Sequence, residues 1–320
     1  MVKRSVVGIA KVEHPGSKLE IEKKLSNLLE QMEKRNLISM KPGSTVLVKP
    51  NICFVKGYET GATVDPFIAK CLIDWLLRKF SLKTVTIGEA DATILNVDIA
   101  FKVLGWEDTF KRYPQVRLLN LTKDELVSLS LDGLYFQNLK MPKTYVESDY
   151  LISIGKLKTH VQTDITCILK NQFGAYPVKH KAKYHPYLDE VIHDVNKARL
   201  PDLCVVDGII AMEGEGPVDG RPKPIGLLIV GNDAVATDHV CSRIMRVNPH
   251  KIKHLKLAAK RGLGSFDYDV FGEKIEDVRT TFVPFSAKLI RNKYIRRIPL
   301  LRKPITACYL LKRALENEQD

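Results

Sequence analysis

The 320-residue chain is expected to fold as an α/β protein, with a mostly parallel sheet, helices on both faces and a basic C-terminal extension. Three observations predict this. Short runs rich in β-branched residues alternate with amphipathic stretches in the order strand, helix, strand, helix, the rhythm of βαβ units. Runs such as Thr45-Val-Leu-Val and Tyr150-Leu-Ile-Ser-Ile154 are apolar almost throughout, which suits buried strands. Several of these runs end in polar residues, and in a parallel sheet their carboxyl ends meet at one edge, where open α/β sheets bind ligands. Residues 1–285 are assigned to the α/β domain and residues 286–320 to the extension.

In chain order, residues 5–12 form the first strand. Ser17 can cap the helix that runs to about residue 35, with Leu19, Ile21, Leu25, Leu28, Leu29 and Met32 on one stripe. Lys41-Pro-Gly turns the chain into a buried strand that ends in Lys49, Pro50 and Asn51. Asp65 caps and Pro66 opens a second helix, to about residue 80. Residues 83–87 form a third strand, ending in Gly88-Glu-Ala-Asp91. A short helix from about residue 98 and a polar strand region over residues 116–137 follow. Residues 150–154 form the central strand, which Gly155 is expected to end, leaving a polar loop. Beyond it come a helix over residues 186–198, strands over 203–206 and 225–230, and helices opened by Asp233 and Pro249.

Composition narrows the function classes. The 45% hydrophobic content suits a globular protein, and no run of eighteen apolar residues is present to span a membrane. The N-terminus lacks the apolar stretch and cleavage site of a signal peptide, so a cytoplasmic location is expected. Six scattered cysteines form no Cys-x-x-Cys pair, which argues against a local-cysteine iron–sulphur cluster or structural zinc. The net charge of +13 is uneven, since residues 286–320 hold nine Lys or Arg against three acids. That tail, interleaved with Leu, Ile and Tyr, suits an anionic membrane surface or nucleic acid as partner; a solvated basic face is the plainer reading.

The candidate site is built around the polar stretch after the central strand. Lys156, Lys158 and Lys170 supply positive charge, His160 and His185 can exchange protons near neutrality, Asn171 can orient a carbonyl or carboxylate, and Thr159 is counted with the cofactor-binding residues. Lys49 and Asn51 end a neighbouring strand, and Gly57-Tyr-Glu-Thr-Gly-Ala-Thr63 offers amides and the Thr63 hydroxyl just ahead of a helix. Asp207 and Glu213, among the glycines of residues 207–220, could hold a divalent cation or counter the lysines. His160 and His185 with a carboxylate are a second metal candidate. Each residue alone could equally be a helix cap or a solvated loop residue; it is the recurrence of such residues at strand ends that points to a site. The expected ligand is an anionic small molecule bearing phosphate or carboxylate, with a divalent metal or a phosphorylated cofactor as candidate cofactors. His160 is the expected proton-transfer group, with Lys170 and His185 beside it.

Several segments in one order carry a resemblance. Val46-Leu-Val-Lys-Pro-Asn51, Gly88-Glu-Ala, Ser148-Asp-Tyr-Leu-Ile, Lys156-Leu-Lys-Thr-His160, Lys170-Asn-Gln-Phe-Gly174, Pro201-Asp-Leu-Cys-Val-Val-Asp-Gly-Ile, Met212-Glu-Gly-Glu-Gly-Pro217 and Asn232-Asp-Ala-Val-Ala-Thr-Asp238 together resemble the domain of unknown function 362 family. Many members of that family carry an attached ferredoxin-like module. This chain has no Cys-x-x-Cys run, so the resemblance implies no iron–sulphur cluster here. The order His160, Lys170, His185 is also similar to that in nickel-pincer racemases of the lactate racemase type, although their glycine-rich motifs are not reproduced. The expected function is therefore an enzyme of isomerase, racemase-like or oxidoreductase-associated type. The alternatives are a non-catalytic assembly protein working through its tail and an electron-transfer accessory.

Overall fold

The computed structural model describes residues 4–284, so expectations about residues 286–320 lie outside the described residues. The chain opens with β1 (Ser5–Lys11) and α1 (Lys18–Lys34), whose N-terminus is capped by the Ser17 hydroxyl accepting from the Glu20 amide. Ile21, Leu25, Leu28, Leu29 and Met32 form its buried stripe. Leu19 departs from the expected stripe and is 78% exposed, because two residues before Ile21 is about 200° around the helix. Next come β2 (Ser44–Pro50), α2 (Pro66–Lys79) capped by Asp65, and β3 (Leu82–Glu89). The short α3 (Val97–Val103), capped by Asn96, opens within a residue of its expected start, and α4 (Trp106–Phe110) follows.

The expected polar strand region divides into β4 (Val116–Asn120), which joins the main sheet, and β5 (Leu126–Ser130), which pairs with β6 (Asn138–Pro142) as a separate hairpin. After α5 (Lys143–Glu147) the central strand β7 runs over Tyr150–His160 and folds back on β8 (Asp164–Thr166). A single turn, α6 (Leu169–Gln172), leads through short 3-10 segments to α7 (Leu188–Ala198). The chain continues through β9 (Leu203–Glu213), β10 (Arg221–Gly231), α8 (Ala234–Ile244), α9 (Lys253–Lys260), β11 (Tyr268–Gly272) and α10 (Ile275–Val278).

The strands lie in the order β11, β1, β10, β9, β7, β2, β3, β4, with β8 on β7. Among the described residues of this sheet, β10 and β8 run against the other strands. Two cores follow from the two-residue period of the strands. Val46, Val48, Ile152, Ile154 and Val205 pack with α1 to α4, while Leu47, Leu151, Leu157, Cys204 and Val206 pack with α6 to α9.

The central strand corrects the expectation most. Gly155 does not end it, and residues 155–160, expected as loop, continue the strand as its buried carboxyl half. Gly155 is needed for packing, since a Cβ there would lie 2.7 Å from the Cys167 carbonyl oxygen. Strand β9, expected over residues 203–206, likewise extends through Asp207 to Glu213, so only the turn of residues 214–220 separates it from β10. In both cases the neighbouring strands satisfy the backbone, which lets polar side chains remain in a buried ladder.

Candidate functional site

Strand register assembles the site. Lys49 on β2 lies opposite Ser153 on β7, and Lys156 on β7 lies opposite Asp207 on β9. Lys156, Lys158 and His160 share one face of β7 by its two-residue alternation. An ammonium carries three protons, and counting their acceptors sorts the lysines.

Lys49 Nζ donates to Glu89 Oε2 (2.7 Å), Asn171 Oδ1 (2.9 Å) and the Pro50 carbonyl (3.1 Å). Gly174 permits this, because a Cβ there would come within 2.5 Å of that nitrogen. Lys158 Nζ donates to the carbonyls of Ala62 (2.6 Å) and Pro217 (3.2 Å) and to Cys53 Sγ (3.2 Å). Both ammoniums thus have three acceptors inside the protein. Burial lowers both pKa values, against the pull of Glu89 on Lys49 and of Cys53 on Lys158.

Lys156 is paired with Asp207 Oδ2 at 2.7 Å in a fully buried bridge. The same oxygen accepts from the Asp65 amide (3.1 Å), which ties the start of α2 to β9. Burial, with the Asp207 charge adding to it, raises the Asp65 carboxyl to about 6 despite the Phe67 amide. Asn171 is a second knot: its Nδ2 donates to the Lys49 carbonyl, Ser153 Oγ and the Ile154 carbonyl, and its Oδ1 accepts from Lys49 and Asn51. The buried Oδ1 of Asn51 has no partner among the described residues. Thr63 and Thr159 donate to the carbonyls of Lys56 and Gly214, tying loops together.

The remaining groups are held differently. Lys170, half-buried on α6, makes no hydrogen bond or ion pair with the described residues and lies 4.9 Å from the Phe173 ring centre. Burial, with Lys158 and Lys49 adding to it, lowers its pKa to about 8, opposed by Cys53 and Glu89. His160 Nδ1 accepts from the amides of Gln162 (3.1 Å) and Thr163 (3.3 Å), which assigns the neutral ring's proton to Nε2. Burial, then Lys170, His185, Lys158 and His254, push its pKa well below the usual imidazole range. His185 pairs through Nδ1 with Gln162 Nε2 at 3.0 Å.

Three further residues complete the arrangement. Lys181, 7% exposed, donates to the carbonyls of Asp91 (2.6 Å) and Ala90 (3.4 Å), and burial lowers its pKa to about 7. His254, on α9, is 1% exposed, and neither ring nitrogen has a partner among the described residues. Burial and then the Lys170 charge take its pKa down to about 3. Asp238, on α8, accepts from the amides of Ile168 (2.7 Å) and Leu169 (3.0 Å) and so anchors the turn that presents Lys170. Its burial outweighs those amides and raises its carboxyl to about 7.

The structure thus brings Lys49, Asn51, Lys156, Lys158 and Asn171 to one edge as a bonded framework, with Lys170, His160 and His185 beside it. It does not bring Asp207 and Glu213 together. Six residues of strand, about 20 Å, separate them, and Glu213 is engaged by Lys223 (2.9 Å) and the Val283 amide (3.1 Å). Among the described residues no group of three His, Cys, Asp or Glu is placed to hold a metal ion. The sequence reading missed His254, Lys181 and Asp238. The alternation of buried His254, Leu255 and Ala258 with lysines was a signal for the first; nothing local separates Lys181 from its exposed neighbour Lys183.

Comparison with known proteins adds the following. The chain is 36% identical over 135 residues to the thylakoid-associated protein sll1697 of Synechocystis sp. (strain ATCC 27184 / PCC 6803 / Kazusa), a match covering 40% of this chain. It spans 42% of that relative's length. Among solved structures, a Thermotoga maritima protein matches with a TM-score of 0.40 and 17% identity, over 74% of this chain and 61% of the other. The lactate racemase apoprotein of Thermoanaerobacterium thermosaccharolyticum matches with a TM-score of 0.41 and 14% identity, over 76% and 57%. Likeness at that level carries no argument about chemistry. The family described as "Domain of unknown function (DUF362)" matches residues 46–243, which include β2, β7, α6, β9 and the anchoring Asp238, and the chain belongs to that family.

Proposed function

We propose that the carboxyl edge of the sheet binds a small anionic molecule, bearing carboxylate or phosphate, and assists proton transfer on it. One observation carries the reading: the Lys170 ammonium has no hydrogen-bond or ion-pair partner among the described residues although it is half-buried beside buried imidazoles. A cation in that setting is costly without a counter-charge, and a bound anion supplies one. His160 offers Nε2–H to an oxygen of the anion, and its lowered pKa keeps the ring neutral, so it serves as hydrogen-bond donor and proton relay. Lys181 adds charge, while Lys49, Lys156 and Lys158 support the field from within the framework. Asn51 Oδ1 is a spare acceptor at the same edge.

Thermal unfolding of the full chain in the presence of phosphate, acetate or lactate tests this. At least one anion should raise the midpoint in the wild type, and Lys170→Met should remove the response. A response that Lys170→Met leaves unchanged, or none to any of the three, would sink the reading.

A second reading is peripheral attachment to an anionic membrane surface through residues 286–320. It is supported by nine basic residues in that segment and by the name of the thylakoid-associated relative. Among the described residues no helix is long and apolar enough to cross a membrane. Cosedimentation with anionic vesicles should be lost in a chain ending at residue 285. Retention of equal binding by that shortened chain would remove the reading.

A further inference from the structure

Resting on the anion-site reading above, we infer that Lys170 is a nucleophilic amine that forms an imine with a carbonyl carbon of the bound anion. The substrate class is then a small carbonyl-bearing acid, such as a 2-oxo acid or an aldehyde acid.

The argument starts from what occupies each nitrogen. Lys49 and Lys158 both donate to three acceptors, an arrangement that only an ammonium can complete. Lys170 has no acceptor among the described residues, so losing a proton breaks no internal bond. Its surroundings favour that loss. Lys49, Lys158 and Lys181 lie within reach of its charge; Cys53 and Glu89 oppose them, as does the face of the Phe173 ring, which attracts a cation, and burial outweighs these. Desolvation beside other cations is the physical route to a reactive lysine, and a pKa of about 8 is consistent with it.

The neighbouring imidazoles supply what imine formation also needs. The Nζ lone pair attacks the carbonyl carbon and a C–N bond forms. The carbonyl oxygen takes both amine protons and leaves as water as the C=N bond closes. His160, with its proton on Nε2, can donate toward that oxygen, and His254 lies within reach of the Lys170 charge with two buried ring nitrogens that have no partner among the described residues. Either ring finishes the transfer in the state in which it began. No oxidant, metal or further reactant is required. Lys181 is the natural internal control. Its pKa is lowered too, to about 7, but its ammonium already donates to the Asp91 and Ala90 carbonyls.

The test is reductive trapping on the full chain with glyoxylate and cyanoborohydride, followed by peptide mapping. At pH 8 the label should favour Lys170 over the average lysine by on the order of tenfold, since about half of its amine is unprotonated there. A neutral aldehyde of similar size should lose most of that preference. Lys170→Arg keeps a positive charge but cannot form the imine, so it should lose the label. An even spread of label, or concentration on Lys181, would overturn the assignment. Stabilisation by anions without labelling at Lys170 would end the imine proposal alone. Absence of both would end the anion-site reading with it.

Discussion

Lys49 and Lys158 on one side and Lys170 and Lys181 on the other are the same residue type within reach of one another's charge, yet they are held in opposite ways. The first two are fully buried and have three acceptors apiece, drawn from separate segments of the chain. Lys170 has none among the described residues, and Lys181 has two carbonyls, one of them at 3.4 Å. Burial alone therefore does not mark a functional lysine. A lysine whose protons are all taken joins parts of the fold; one whose protons are free is available to something the fold does not contain.

The largest expected effect tests the bonded half. Removing one member of a buried ion pair leaves an uncompensated charge, which typically costs about 3–5 kcal/mol. Glu89→Ala should therefore lower stability by about that amount in urea unfolding, because Lys49 loses the shortest of its three bonds. Replacing both partners, as in Lys49→Met with Glu89→Leu, should restore much of the loss. A Glu89→Ala protein as stable as the wild type would mean that Lys49 is not the post described here.

An intermediate effect tests how the free half is held. Asp238→Ala removes both acceptors of the Ile168 and Leu169 amides, leaving buried donors unsatisfied at about 1–3 kcal/mol. Lys170 should lose its selective labelling and the anion response should weaken, because the turn carrying Lys170 is no longer anchored. Unchanged labelling in a destabilised Asp238→Ala protein would separate the anchor from the site.

A further effect is in the pH dependence, where groups of opposite sign offset one another. The unfolded chain protonates a histidine near 6.5 and the folded chain protonates His254 only at about 3, so stability falls as pH drops between those values. Lys170 and Lys181 act with the same sign at the other end. The unfolded chain holds their protons to about 10.5 and the folded chain only to about 8 and about 7, so stability rises with pH across that interval. Asp65 and Asp238, with raised values of about 6 and about 7, act in the opposite direction. His254→Leu should make the acid loss shallower without shifting the alkaline rise. An identical acid limb in that variant would show that His254 is not held neutral by the fold.

Much of the fold is legible in local chemistry. Ser17 and Asp65 cap the helices they were expected to cap, and the apolar runs of β2 and β7 lie where both faces of a sheet are covered. Position in the sequence also reveals that Lys49, Asn51, Lys156, Lys158 and His160 share one edge, since parallel strands align their carboxyl ends. The strand ends were less legible. Polar residues 156–160 resemble a loop because the sequence does not show that β8 and β9 pair with them and that Asp207, Ala62 and Pro217 receive their ammoniums.

By itself, then, the sequence determined the α/β class, the order of most elements and the strand ends that contribute polar groups, because caps, turns and alternation act over a few residues. Only the tertiary structure decided which of those groups are bonded and which are free. That distinction depends on partners far away in the chain, such as Glu89 for Lys49 and Ala62 for Lys158, and on the packing of α9 that buries His254 without a partner among the described residues. Hydrogen-bond supply is a property of the assembled interior, and no local pattern encodes it.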